Sequence, residues 1–399
     1  MKKYIILVQA SSTSWSGGPD PCLNILDGKT VLQNTIDKIF KDLLGSILKI
    51  IIIAPYFDKG GLDSLNEQHP LLSVSYGFDE SPLMRMVHAT HELTDEDTIL
   101  RLNGLNFCFD SQAALKNLEL ADSGKYDCVK FPDDFPALFS SDIYKLGTLR
   151  EMSALENLDA KFHIHPKYYM ELSEKYVVKT CTPNTNLYDN DFLSSIRAKC
   201  VLSMSEKRIE IVEANVVKSA CTITYHYQLA LAYLNKDMKI LDCACGSGFG
   251  SQMVAGKVKE VIGLDIDKDM IHEAETTNHH QNSRFIEGSA LTMPFKDEFF
   301  DCVMAFEIIE HVDPDSLLIE IHRVLRTDGI LILSTPQNSL GHIPLTPDHS
   351  LEFSREKLES IVSRCFSIVE FIGIKQGTIS MNEDRSGSNS FVVAKKVMN

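Results

Sequence analysis

The chain has 399 residues, 44% hydrophobic and 24% charged, with 39 basic against 55 acidic side chains and a formal net charge of −16. That length exceeds one ordinary hydrophobic core and predicts two domains of soluble, globular composition. An acidic chain is repelled by a phosphate backbone, so nucleic acid is excluded as an expected partner. The opening M-K-K-Y-I-I-L-V-Q-A holds a short apolar run, read as a strand rather than a leader or a membrane span. Ten cysteines are scattered with no C-x-x-C pair. They are expected to be buried free thiols in a reducing compartment, which predicts a cytoplasmic location.

The first half alternates strand and helix. Tyr4 to Val8 reads as a strand, Lys29 to Leu44 as a helix with apolar residues at helical spacing, and Leu48 to Ala54 as a buried strand stopped by Pro55. A strand over Leu71 to Tyr76, a helix near Pro82 to Glu92, the strand T-I-L-R-L-N-G, a helix from Ser111 to Leu120 and the strand Y-D-C-V-K-F follow. The pattern predicts an α/β sandwich with mostly parallel strands. Asp110 and Asp142, as lone acids, read as a helix cap or solvated surface.

The segments I-I-L-V-Q-A and G-G-P-D-P-C-L-N-I-L-D-G-K-T-V-L-Q resemble the sugar nucleotidyltransferases, in particular the GT-A-like cytidylyltransferases of surface-polysaccharide pathways. The resemblance implies a loop whose arginine and lysine grip a triphosphate, and a strand ending in R-x-x-G-D whose aspartate holds a metal. With Pro19 and Gly28-Lys29 aligned, the arginine position falls on Gly17 and the lysine position on Pro21. Leu105 stands at the aspartate position after Arg101-Leu102-Asn103-Gly104, and a leucine does not coordinate magnesium. Residues 1–185 are therefore expected to keep that fold without its catalysis. The polar, turn-rich stretch from Thr180 to Asp191 suggests a linker, placed at residues 186–204, before a second domain over residues 205–399.

In the second half, a helix from Ser205 to Leu234 precedes K-I-L-D-C-A-C-G-S-G-F-G. Apolar residues lead into Asp242, and Gly246, Gly248 and Gly250 then occupy alternate positions. Such a turn between strand and helix lets backbone pass close to a ligand. The next strand, V-I-G-L-D-I-D, ends in Asp265, placed to accept from ribose hydroxyls as doubly wound folds do. Asp267 fits an N-cap of the helix that follows. A dinucleotide and S-adenosylmethionine both suit this plan, although the spacing departs from G-x-G-x-x-G and disfavours the dinucleotide.

Together with F-I-E-G-S-A, F-D-C-V-M-A-F-E-I-I-E-H-V, H-R-V-L-R-T-D-G-I-L-I-L-S-T-P and D-H-S-L-E-F-S, these motifs resemble the class I S-adenosylmethionine-dependent methyltransferases of glycans and small metabolites. The resemblance implies a doubly wound Rossmann-like domain ending in an antiparallel β-hairpin, here Ser367 to Lys375 and Ser390 to Lys396. It implies S-adenosylmethionine as cofactor, held by Asp242, Cys243, Ala244, Gly246, Gly248, Asp265, Ile266, Ser289, Ala290, Phe306 and Glu307. Serine stands at position 289, where the family usually has an acid. His311 and His349 are the candidate general bases, because neutral imidazole near pH 7 is matched to taking a hydroxyl proton. No metal is expected, since the loop bearing His342 and His349 offers no third ligand at convincing spacing. The expected acceptor is a hydroxyl or amine of a sugar, on a small molecule or a glycan. A bifunctional cytidylyltransferase and methyltransferase, a non-sugar acceptor, a first domain acting only as a binding or assembly module, and a homo-oligomer all stay open.

Overall fold

The computed structural model describes residues 2–12, 20–203, 222–341, 343–375 and 386–397. The chain divides into two compact units, one built on Met1–Lys207 and the other on Arg208–Pro344 with Asp348–Asn399.

The first unit contains strands β1 (Tyr4–Gln9), β4 (Ile47–Pro55), β5 (Leu72–Gly77), β6 (Thr98–Asn103), β7 (Cys128–Lys130), β8 (Asp142–Lys145) and β9 (Val178–Thr180), with a small hairpin of β2 (Ile25–Leu26) and β3 (Lys29–Thr30) outside the main sheet. The sheet order is β5-β4-β1-β6-β8-β7-β9. Its first four strands are parallel, as the buried runs I-I-L-V and I-I-I-I predict. Strand β8 runs antiparallel to both β6 and β7, while β7 and β9 are parallel. The helix Val31–Leu43 turns Val31, Leu32, Ile36, Ile39 and Leu43 inward, and Thr30 caps it by accepting from the Gln33 N–H.

Two expectations change here. Residues 186–204 are not an open linker: the helix Asn190–Ser203 occupies most of them, with Leu193, Ile196 and Cys200 buried. Asp142 is not surface; it is 6% exposed and pairs with Arg101 at 3.1 Å and Lys167 at 3.0 Å. Asp110 does cap the helix Ser111–Ala121, accepting from the Ala113 N–H.

The second unit contains β10 (Lys239–Cys243), β11 (Glu260–Asp265), β12 (Ser283–Glu287), β13 (Phe300–Phe306), β14 (Leu325–Pro336), β15 (Phe366–Ile374) and β16 (Asn389–Lys396), in the order β12-β11-β10-β13-β14-β16-β15. The first five strands are parallel and β16 runs antiparallel between β14 and β15, so the C-terminal hairpin closes the sheet as expected. The order reverses direction beside β10, which puts a crevice at the carboxyl ends of β10 and β13. Of the expected leading helix, Thr222–Ala230 is helical and residues 204–221 lie outside the described residues. Buried apolar side chains cover both faces of the sheet; Leu241, Ile262, Val303 and Leu331 lie on one and Ile240, Val261, Met304 and Ile332 on the other.

No helix among the described residues is long and apolar enough to cross a membrane. All nine described cysteines are free thiols.

Candidate active site

Strand β10 delivers Asp242, 1% exposed, to the start of the glycine turn. Its partners are side-chain hydroxyls: Tyr227 donates to its two oxygens at 3.0 and 3.1 Å, and Ser251 donates to Oδ2 at 2.6 Å. Burial pushes the carboxyl up, the Ser251 and Tyr227 hydrogen bonds partly offset this, and the nearby Asp265 charge adds to it, leaving it at about 6. Tyr227 thereby anchors the leading helix over the turn.

Beyond Asp242 the backbone enters the left-handed region at Ala244 (φ 64°), Gly246 (φ 53°) and Gly248 (φ 74°). For Gly248 a Cβ would lie 2.6 Å from the Phe285 ring and 2.8 Å from Ala274, so only glycine fits. Gly246 differs, because a Cβ there would meet nothing within 4 Å. The open space beside a backbone that turns away is the cradle a bound ligand needs. Cys243 and Cys245 are buried and pack, with burial raising both thiols, so neither offers a thiolate.

Asp265, at the tip of β11, is 4% exposed. Oδ2 accepts from the Gly246 N–H at 2.8 Å and Oδ1 from the Asp267 N–H at 2.9 Å. The carboxylate thus ties the glycine turn to the neighbouring strand, a role additional to the ribose contact expected of it. Asp267 caps the next helix through the Asp269 and Met270 N–H groups. Ile266 beside it is 69% exposed, an apolar side chain left uncovered at the crevice edge. Ser289 and Ala290 are half-buried in the loop after β12, and Ser289 Oγ accepts from the Leu291 N–H at 3.2 Å.

At the end of β13, Phe306 is buried and Glu307 adopts φ 52°. A non-glycine residue in that region is strained, and such strain clusters at functional sites. Glu307 is held by Ser334 Oγ on Oε1 at 2.9 Å and by Asn389 Nδ2 on Oε2 at 3.0 Å, and burial raises its carboxyl. His226 joins this network from the leading helix, 3.0 Å from Ser334 Oγ, and burial depresses its imidazole to about 3. Ser334 lies in the I-L-I-L-S-T-P motif, but it meets Asn389 and His226 only because β14, β16 and the leading helix converge.

The two candidate bases are brought together. The Glu310 carbonyl accepts from the Ser350 N–H at 2.8 Å, the Leu351 N–H at 3.1 Å and Ser350 Oγ at 2.9 Å, which staples the loop after β14 to the turn after β13. As a result the His311 and His349 rings stand 4.9 Å apart, edge to face. His311 is exposed and its Nδ1 lies 3.0 Å from the Asp348 carbonyl; His349 Nδ1 lies 3.2 Å from Glu352 Oε1. Both partners accept hydrogen bonds, so each Nδ1 carries the proton and each Nε2 holds the lone pair. Glu310, His311 and His349 place one potential ligand atom each within 4.8 Å of the others. His342 lies outside the described residues.

The parallel sheet with its terminal hairpin, the left-handed glycine turn and the acid at the next strand tip make the second unit a Rossmann-like domain of the methyltransferase type, and the proteins it is similar to are S-adenosylmethionine-dependent methyltransferases. Residues 241–333 match the family model described as a methyltransferase domain. Over 170 residues the chain is 29% identical to the "Probable S-adenosylmethionine-dependent methyltransferase" of Mycolicibacterium smegmatis, covering 41% of this chain and 65% of that one. It is 34% identical over 114 residues to the demethylmenaquinone methyltransferase of Staphylococcus aureus, covering 27% and 47%. A ubiquinone/menaquinone biosynthesis C-methyltransferase of Campylobacter jejuni is 28% identical over 150 residues, covering 35% and 63%. The chain therefore spans less than two thirds of the length of each of these relatives.

Proposed function

We propose that this protein methylates a hydroxyl or amine of a sugar, carried on a nucleotide sugar or a glycan. The observation behind the reading is the pair His311 and His349 at the carboxyl end of β13, the strand next to the cofactor strand β10. Bound S-adenosylmethionine supplies an activated methyl on a sulfonium, so the protein's work is alignment of an acceptor atom within about 3 Å and disposal of its proton. Gly246 and Gly248 allow close backbone approach, Asp265 fixes the turn and reaches the ribose, and Ile266 offers an apolar edge to the adenine. Ser289 and Ala290 line the adenine side, and Phe306 and Glu307 the side toward the acceptor. An Nε2 lone pair of His311 or His349 accepts the acceptor's proton, while Asp348 and Glu352 hold the rings in that tautomer.

The first unit is read as a nucleotide- or glycan-holding module of nucleotidyltransferase descent. Its four parallel strands reverse order between β1 and β6, a place where such sheets bind ligands, which supports a holding role. Leu105 is half-buried against the core and Pro21 opens a 3-10 turn, so neither supplies the charge of a nucleotidyl-transfer site. Gly17 lies outside the described residues. Magnesium-dependent pyrophosphate release from CTP and a sugar would reverse that reading.

A second reading, carbon methylation of a quinone-like ring, draws on the names of the Staphylococcus aureus and Campylobacter jejuni relatives. Incubation with methyl-labelled S-adenosylmethionine and parallel panels of nucleotide sugars and demethylated quinones separates the two. Label on a sugar is the expected result; label confined to the quinones replaces the sugar reading.

A further inference from the structure

Glu310 is 1% exposed, yet its two carboxylate oxygens are treated differently. Oε2 accepts from Thr335 Oγ1 at 2.8 Å, whereas Oε1 is buried with no hydrogen-bond partner. An unsatisfied buried acceptor is costly, of order 1–3 kcal/mol, and needs a reason. The imidazoles of His311 and His349 adjoin this carboxylate, with one ligand atom of each group within 4.8 Å of the others. His311 Nδ1 lies 3.0 Å from the Asp348 carbonyl and His349 Nδ1 lies 3.2 Å from Glu352 Oε1, a tautomer that puts the lone pair of each ring on Nε2. Glu352 is itself buried and fixed, since its Oε2 accepts from Asn338 Nδ2 at 2.6 Å. A metal-binding histidine whose second nitrogen donates to a fixed carboxylate is the arrangement that orients such ligands.

We propose that Glu310, His311 and His349 bind one divalent d-block cation. One carboxylate oxygen and two imidazole nitrogens suit Zn²⁺, Fe²⁺, Co²⁺ or Mn²⁺ better than Ca²⁺ or Mg²⁺, which favour all-oxygen shells. The ligand atoms lie within 4.8 Å of one another. Around a common ion at about 2.1 Å they would stand roughly 3.4 Å apart in tetrahedral geometry, so they need to draw in by up to about 1.4 Å. Three protein ligands leave at least one position open, as catalytic rather than structural metal sites do. Under the acceptor reading above, which this one clause rests on, a substrate oxygen would take the open position, where the cation would lower its pKa so that its proton passes to water, and in the metal-bound form the ion would take over the role given above to the Nε2 lone pairs.

The site is tested on the full chain, stripped of metal by chelator, by titration with Co²⁺ followed by visible absorption and calorimetry, without acceptor. One equivalent bound, with ligand-field bands, is the expected result. Each of His311→Ala and His349→Ala should weaken binding at least about 100-fold, and Glu352→Gln about 10- to 100-fold through loss of the second-nitrogen anchor. S-adenosylmethionine affinity, measured on the same samples, reports that each variant is folded; should Glu310→Ala fail that check, the histidine variants carry the test. Absence of stoichiometric binding, or affinity unchanged in both histidine variants, overturns the proposal. Because no acceptor is present, a wrong acceptor assignment leaves this result unaffected.

Discussion

The Tyr227 hydroxyl donates to both carboxylate oxygens of Asp242, at 3.0 and 3.1 Å, and so fastens the leading helix to the end of the first core strand. Phenylalanine in place of Tyr227 keeps the ring and removes the donor. Asp242 is then left with Ser251 alone in a buried site. Tyr227→Phe should lose about 1–3 kcal/mol of stability and weaken S-adenosylmethionine binding. Urea unfolding and calorimetry measure the two, and unchanged values in both would dismiss the anchor.

The same contact sets a pH dependence. Burial raises Asp242 from 3.8 to about 6, so the native state binds a proton that the unfolded chain has already released between those values. The contribution to stability is complete below about pH 4 and is lost as pH rises through about 6, a change of about 3 kcal/mol. Asp242→Asn should flatten the stability curve across that window relative to the parent. Parallel curves for the two proteins would refute the assignment.

Gly250 and Gly246 make a matched pair of substitutions. A Cβ on Gly250 would fall within the Tyr227 ring, so Gly250→Ala must displace the ring and break its bond to Asp242. A large loss is expected, on the scale of overpacked cores, about 1–3 kcal/mol or more. Gly246→Ala meets no atom but carries φ 53°, at a cost of about 1–2 kcal/mol, and its methyl points into the cradle. The prediction is a folded Gly246→Ala protein with clearly weakened cofactor binding, against a Gly250→Ala protein whose melting temperature falls first. The reverse order would place the ligand elsewhere.

These local features were legible because they are local. Glycines at alternate positions after an apolar strand, and an acid closing the next strand, encode a turn and a tip within a few residues of each other. Strand β8, D-I-Y-K, is too short to show a period, and its antiparallel course depends on partners 41 residues away, such as Arg101. The stretch before Ser203 read as a linker because its opening is polar and turn-rich, yet burial of Leu193, Ile196 and Cys200 makes the rest a packed helix. The approach of Glu310 to the two histidines was not legible for a similar reason. Its neighbour His349 arrives through hydrogen bonds from Ser350 across 40 residues, which no spacing rule anticipates.

Asp265 links the glycine turn to β11 through the Gly246 N–H. Asp265→Ala removes that tie together with the ribose contact proposed above, and should weaken S-adenosylmethionine by a few kcal/mol at most, the scale of charge-assisted hydrogen bonds. Asp265→Asn keeps the shape, but its amide NH₂ must face one of two backbone N–H donors, so it should fall between Ala and the parent. Equal affinity across all three proteins would remove Asp265 from the site.

The first unit carries its own electrostatic test in Asp142, paired with Arg101 and Lys167 beneath the surface. Burial by itself would raise this carboxyl; Lys167 and then Arg101 outweigh it and bring it down to about 2. A depressed carboxyl contributes stability above its unfolded value of 3.8 and loses it as pH falls through about 2, a change of about 2 kcal/mol. Removal of the partner is worse than its protonation, because Asp142→Ala strands two buried cations. A loss of about 3–5 kcal/mol is expected from the first unit's unfolding transition, with the methyltransferase unit's cofactor affinity unchanged. Double mutation to Asp142→Ala with Lys167→Met should recover part of that loss by removing one stranded charge. Failure of the second substitution to recover any stability would show that Asp142 acts through packing rather than charge.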